Sequence, residues 1–293
     1  MVSLKKYYSK FKLYKNIFEG KINFPFEKRI NFAIIGAQKC GTTALYSFLN
    51  THPKIIGSKV KEVNFFNSDN IYRYGYHYYH SFFPKVKKNK LLFEASPSYL
   101  QDNDFLALNR IYKYNPNIKL IILLRDPIER AFSAYNMYIK KWEENPNWFD
   151  NWKKPGVKYE KRTKEDYKSF HYFIEHELKA KERNKYIETP IIDHGKYVIG
   201  VEKYINKFGK KNVFVIENEE LMSNTKKVLD DILLFLDVKK GYNWPLKNGE
   251  TVFKGNYVND IREDTINMLK NIYNPYNKKL FKLLDYKFKW EYF

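Results

Sequence analysis

One cysteine, Cys40, stands in a chain of 293 residues. That excludes a disulfide framework within the chain and any cysteine-rich zinc site. Long apolar runs are also missing: the clearest stretch covers residues 120–124, far short of the ~18 residues a membrane-spanning helix needs. The first thirty residues carry lysine and tyrosine in place of an apolar leader segment, so the expectation is no secretion and a cytoplasmic location. The 6 histidines include no pair at zinc-protease spacing around a glutamate, and no metal is expected.

Positive charge is what the chain has in excess. Lys plus Arg number 53 against 33 Asp plus Glu, a net charge of +20. So basic a chain favours an anionic partner: nucleic acid, acidic glycan, phosphorylated cofactor or membrane surface. Hydrophobic residues at 44% and charged residues at 29% exclude both a disordered chain and a membrane-embedded one. In residues 1–30, Leu4, Tyr7, Phe11, Tyr14 and Phe18 recur at helical spacing among lysines. Such a basic helix packs on its own domain or rests on a membrane surface as a peripheral contact.

From Asn31 onward, short apolar runs alternate with helical patterns. Strands are expected at 32–36, 91–93, 118–124 and 212–216, and helices at 42–50, 127–140, 167–182, 225–236 and 260–284. This alternation indicates an α/β fold, a parallel sheet flanked by helices. Residues 141–166 break the rhythm with Trp142, Trp148 and Trp152 among mixed charges, and read as an insertion or lid. The expected organisation is a lead-in over 1–30 and one domain over 31–293.

The sharpest local signal is Gly36-Ala37-Gln38-Lys39-Cys40-Gly41-Thr42-Thr43, between an apolar run and a helical pattern. Glycines let backbone N–H groups curl around an anion, and the following helix N-terminus adds partial positive charge. The spacing matches the nucleotide triphosphatase loop, but Thr42 occupies that loop's lysine position and Lys39 lies inside. A kinase or ATPase is thereby disfavoured. A plain strand-to-helix turn capped by Thr42 has the same spacing.

With this loop the chain resembles the PAPS-dependent sulfotransferases, PAPS being 3′-phosphoadenosine 5′-phosphosulfate, and among them the domains that sulfate heparan. The loop resembles their 5′-phosphosulfate loop. Lys61-Glu62-Val63-Asn64-Phe65-Phe66-Asn67 resembles the segment with the catalytic glutamate, and Phe93-Glu94-Ala95-Ser96-Pro97-Ser98-Tyr99 the next strand end. Leu124-Arg125-Asp126-Pro127 through Ser133 to Tyr135 resembles the 3′-phosphate motif. Gly195-Lys196-Tyr197, the run 213–221, Phe253-Lys254-Gly255-Asn256-Tyr257 and the run 273–281 follow in the family's order. The resemblance implies a P-loop-like sulfotransferase fold over about residues 31–290.

It also implies roles. Lys39, Cys40, Gly41, Thr42 and Thr43 would hold the 5′ end of PAPS; Arg125 and Ser133 the 3′-phosphate; Lys254, Gly255, Asn256 and Tyr257 a further part of the cofactor. Lys39 would also stabilise charge in the transition state, and Glu62 would be the base. An ion pair of Arg125 with Asp126 or Glu129 is the ordinary alternative for that residue. Asn256 departs from the family's arginine, and Ala95 from the lysine of heparan-type enzymes. The cysteine pair and the membrane anchor of some relatives have no counterpart here. The expected acceptor is a hydroxyl or amine of a glycan or glycolipid, with the tryptophans of 141–166 contributing. Nucleic acid is not an expected partner. A non-catalytic binder of acidic polymers is the competing reading.

Overall fold

The apolar runs near residues 32–35 and 120–124 form strands buried along nearly their whole length. In chain order the computed structural model, which describes residues 2–23, 28–85, 89–102, 104–153, 156–245 and 261–293, begins with α1 (Val2–Asn23), β1 (Phe32–Gly36), α2 (Thr42–Thr51), β2 (Ile55–Gly57) and α3 (Asp69–Tyr72). It continues through α4 (Gly75–His80), β3 (Leu91–Ala95), α5 (Leu106–Tyr114), β4 (Lys119–Leu124) and α6 (Pro127–Glu144). Next come β5 (Tyr159–Glu160), α7 (Lys164–Lys168), α8 (Phe170–Glu182), β6 (Tyr186–Ile187) and α9 (Val198–Phe208). The remaining elements are β7 (Val213–Glu217), α10 (Asn218–Ser223), α11 (Thr225–Phe235) and α12 (Glu263–Leu284).

The chain divides into two compact units. The first comprises Met1–Ala37, Gly41–Leu123 and Lys203–Val252. It holds a five-stranded sheet in the order β2-β3-β1-β4-β7. β1 runs parallel to both β3 and β4, and β2 parallel to β3. β1 is buried along its whole length, as is β4 beyond Lys119. Parallel strands covered on both faces read as continuous apolar runs, and for that reason these two were legible. Phe32 and Phe93, paired in register, stack at 4.7 Å. The C-terminal strand ends carry the phosphate-type loop, the Glu94 segment and Asn218, at the edge where open parallel sheets bind ligands.

Helix α1 packs on α4. A Cβ at Gly20 would collide with the carbonyl oxygen of His77, so only glycine lets the backbones approach this closely. Of the two expectations for this basic helix, packing on its own domain is met along one face. Tyr14, Phe18 and Ile22 remain exposed on another.

The second unit comprises Gln38–Cys40, Leu124–Glu202 and Phe253–Phe293. α6, α8 and α12 enclose an aromatic core that includes Phe132, Tyr138, Phe173 and Tyr273. Inside it Arg162 is sheathed: it donates to the carbonyls of Glu188 (3.1 Å) and Phe173 and pairs with Glu177 at 3.4 Å. Residues 141–166, expected as an insertion or lid, carry regular structure. α6 runs on to Glu144, Trp148–Trp152 forms a 3₁₀ turn, and β5 pairs in parallel with β6. A Thr163–Asp166 capping box then starts α7. The helix expected over 167–182 is broken at Ser169, which lies in extended backbone between α7 and α8.

Candidate active site

The loop after β1 is shaped by steric exclusion. A Cβ at Gly36 would come within 2.5 Å of Leu100, so the strand can leave the sheet only through glycine. Ala37 N–H donates to the Leu123 carbonyl at 2.7 Å, tying the start of the loop to β4. Lys39 and Gly41 both adopt left-handed backbone, with φ of 70° and 87°. A side chain on Gly41 would also strike Asn218, the residue that follows β7. The helix cap of α2 is Gly41, which supplies no side-chain acceptor, so the first-turn amides of α2 have no side-chain cap. These amides suit an anion, and this observation carries the fit of a phosphosulfate. Thr42 is buried and Thr43 exposed on the first turn.

Within the second unit, Tyr197 joins the loop to the Arg125 segment. Its hydroxyl lies 3.6 Å from Cys40 Sγ and donates to the Arg125 carbonyl at 2.9 Å. Arg125 pairs with Glu129 at 2.7 Å, one helical turn on, so the ordinary ion pair does form. Both side chains keep partial exposure, and the pair holds the guanidinium in place rather than hiding it. Asp126 caps α6 by accepting from Ile128 N–H at 2.8 Å, and it also accepts from Tyr292 N–H at 3.0 Å. Burial pushes its carboxyl up to about 6. Ser133 is buried on α6. Arg130 is fully buried and donates to the Ile191 carbonyl at 2.5 Å.

Glu62 stands beside a buried apolar wall but is itself exposed. Its neighbours Val63, Phe65 and Phe66 are buried, but its own side chain is 53% exposed and accepts from Lys61 Nζ at 2.6 Å. Left-handed backbone at Glu62 (φ 62°) and Asn64 (φ 52°) turns the carboxylate outward from that wall. The segment is fastened to the end of β3. Glu62 N–H donates to the Ala95 carbonyl at 2.9 Å, and Asn64 N–H to Ser96 Oγ at 3.1 Å. Ser98 Oγ donates to Asn64 Oδ1 at 2.7 Å. Behind these contacts sits Glu94, fully buried. It accepts from Tyr79 (2.7 Å), Ser96 (2.8 Å) and Tyr99 (3.0 Å). Burial pushes its carboxyl above the usual range, and the three hydroxyls pull it back. Lys254, Gly255, Asn256 and Tyr257 lie outside the described residues.

A model of the sulfotransferase domain matches residues 29–272. The chain belongs to the sulfotransferase family. A bifunctional heparan sulfate N-deacetylase/N-sulfotransferase 4 from Mus musculus is 28% identical over 86% of this chain and 30% of its own length. The membrane-associated sulfotransferase kil1 from Dictyostelium discoideum is 34% identical over 57% of this chain and 31% of its own. The chain therefore spans about a third of the length of these two relatives. Among solved structures, a sulfotransferase from Alicyclobacillus acidocaldarius is 27% identical with a TM-score of 0.65, covering 89% of this chain and 98% of that one.

The sulfotransferase assignment sets aside the kinase reading and the non-catalytic binder. It also sharpens what sequence reasoning missed. Tyr197 lay in a matched segment without a role, and only its two contacts reveal one. Trp142 and Trp148 are packing residues of this sulfotransferase: Trp142 stacks on Tyr167 at 4.8 Å and Trp148 on Tyr138 at 5.5 Å. Trp152 is exposed. His52 caps α2, accepts from Lys54 N–H at 3.2 Å and packs against Tyr242 and Trp244.

Proposed function

We propose that this sulfotransferase moves a sulfuryl group from PAPS to a hydroxyl or amine of a carbohydrate acceptor, a glycan or glycolipid. One observation carries the cofactor assignment: an uncapped helix start behind left-handed Lys39 and Gly41. Tyr197 supports it by tying Cys40 of that loop to the Arg125 segment. When bound, PAPS supplies the sulfuryl group and leaves as 3′-phosphoadenosine 5′-phosphate. The loop amides and Thr42 would hold its 5′ end, and Lys39 would stabilise the charge that grows on the leaving phosphate. Arg125 would hold the 3′-phosphate by its fork, with Ser133 adding a hydroxyl. Glu62, held outward on its fastened segment, would take the acceptor's proton. Lys61 Nζ, 2.6 Å away, orients that carboxylate. The names of the heparan relatives support a sugar acceptor, and so does exposed Trp152, whose face suits stacking on a sugar ring.

The test is label transfer from radiolabelled PAPS to a panel of glycans, glycolipids and small alcohols. Label on a sugar supports the reading. Label only on small alcohols or amines overturns the carbohydrate acceptor, and no consumption of PAPS overturns the reaction.

A peripheral membrane contact is the second part of this proposal. Tyr14, Phe18 and Ile22 recur every fourth residue on an exposed stripe of α1, with Lys15 and Lys21 beside it. Such a stripe fits an anionic bilayer. Cosedimentation with phosphatidylserine vesicles should fall at least fivefold in a Tyr14→Ser/Phe18→Ser variant, and unchanged binding would remove the membrane from the proposal.

A further inference from the structure

The β5–β6 ribbon of the second unit carries a pocket that the transfer chemistry does not use. Its volume is about 360 Å³, and Lys158, Tyr159, Arg183, Lys185 and Tyr186 line it. Local structure explains how these groups meet. Arg183 caps the C-terminus of α8, and Asn184 takes left-handed backbone, φ 53°, which asparagine tolerates well. Lys185 N–H then donates to the Ala180 carbonyl at 2.9 Å, closing the helix and turning the chain into β6. Parallel pairing sets Tyr159 beside Tyr186.

Charge in the pocket is one-sided. Glu160, its one carboxylate, is engaged by Arg183 at 2.6 Å and by His176 at 2.9 Å through a single oxygen. This contact fixes the guanidinium of Arg183 at the rim. Neither Lys158 nor Lys185 pairs with a carboxylate among the described residues. Three cations thus face one carboxylate, whose Oε1 is engaged while its Oε2 is buried and has no hydrogen-bond partner among the described residues.

The aromatic side is braced. Tyr186 is 64% exposed. It leans on Tyr159 at 5.9 Å, which leans on Phe149 at 5.6 Å, and that ring on Trp148 at 5.6 Å. Trp148 stacks on buried Tyr138. A ladder of rings therefore runs from the core to one exposed tyrosine, which loses little entropy on meeting a ligand.

We propose that this pocket is an exosite for an anionic oligosaccharide, with Tyr186 stacking on a sugar face while Lys158, Arg183 and Lys185 take its sulfate or carboxylate groups. The exosite rests on the glycan-acceptor reading, since it would hold a segment of the acceptor chain beyond the residue being sulfated. A neutral sugar would use the ring alone, and a simple polyanion the cations alone. The combination selects a charged glycan.

The experiment measures calorimetric binding of a heparin-derived hexasaccharide, cellohexaose and a polyphosphate of matched charge at 150 mM salt. Full-length wild type is compared with Lys158→Ala/Lys185→Ala, Tyr186→Ala and Tyr186→Phe. The expected result is hexasaccharide binding at least tenfold weaker in the double variant and about fivefold weaker in Tyr186→Ala, with Tyr186→Phe near wild type. Polyphosphate should respond to the lysines and not to Tyr186, and cellohexaose should bind far more weakly than the hexasaccharide. Melting temperature and affinity for 3′-phosphoadenosine 5′-phosphate should stay unchanged, showing that the variants fold. Wild-type hexasaccharide affinity in the double variant overturns the exosite, as does an equal loss of polyphosphate binding in Tyr186→Ala. Binding is read without turnover, so the two proposals separate. If the binding pattern holds and no glycan is sulfated, the acceptor reading fails and the pocket stands. If short glycans are sulfated at equal rates by every variant and binding does not change, the acceptor reading stands and the pocket fails.

Discussion

Two glutamates of the first unit, Glu62 and Glu94, occupy opposite surroundings although their segments are fastened together. Glu94 is fully buried under three hydroxyl donors, with its carboxyl pushed above the usual range. Glu62 is half exposed beside Lys61 on a left-handed turn. A search for perturbed carboxylates would choose Glu94, since perturbed groups cluster at functional sites. Yet a carboxylate with three protein donors and no exposed surface has no route to a substrate. Its perturbation comes from holding structure: Ser96 links it to Asn64, two residues from Glu62. The difference separates an acid that holds structure from an acid that a substrate can reach.

The strongest way to break this comparison is Glu94→Ala. It strands three buried hydroxyls and loosens the Glu62 segment, so stability should fall by about 3 kcal/mol or more, with most turnover lost. Melting curves and sulfuryl-transfer assays read both. A variant with normal turnover would remove Glu94 from any positioning role. Next in size is Glu62→Gln, which should lower kcat roughly a hundredfold, about 2.7 kcal/mol, and leave melting temperature and cofactor affinity nearly unchanged. Near-full activity would transfer the base role to another group.

A control lies outside the pair, in the second unit. Arg125→Ala should weaken 3′-phosphoadenosine 5′-phosphate by about 2 kcal/mol and ADP hardly at all. Equal calorimetric losses for both nucleotides would deny Arg125 the 3′-phosphate. The smallest effect concerns pH. Because burial raises the Glu94 carboxyl, the folded chain holds that proton at pH values where the unfolded chain has released it. Glu94 therefore favours the folded state most at low pH, and its contribution declines as pH rises past the ordinary glutamate value of 4.5. Glu94→Gln cannot titrate, so its stability relative to wild type should improve with rising pH over that window. A pH-independent difference in melting temperature would mean that Glu94 does not titrate there.

Much of the fold was legible because its signals are local. β1 and β4 are continuous apolar runs, α6 opens with Asp126 and Pro127 as cap and first residue, and the loop glycines mark where a Cβ will not fit. β2 is only three residues, and α5 carries Arg110 and Lys113 within a short pattern, so neither stood out. Residues 141–166 depend on contacts that the sequence alone does not show. Their tryptophans look like a ligand surface when read in line, but two of them find aromatic partners, Tyr138 within α6 and Tyr167 in α7.

By itself the sequence determined the α/β alternation, the anion loop and the order of motifs that marks a sulfotransferase. These depend on residue type and spacing along the chain: glycine where backbone must curl, apolar runs where strands are buried. Only the tertiary structure decided which of two glutamates is accessible, that Tyr197 bridges Cys40 and the Arg125 carbonyl, and that Tyr186 is held out beside three cations. Those facts depend on groups distant in sequence meeting in space. Burial, hydrogen bonding and charge pairing have no value until the chain has folded and chosen each group's neighbours.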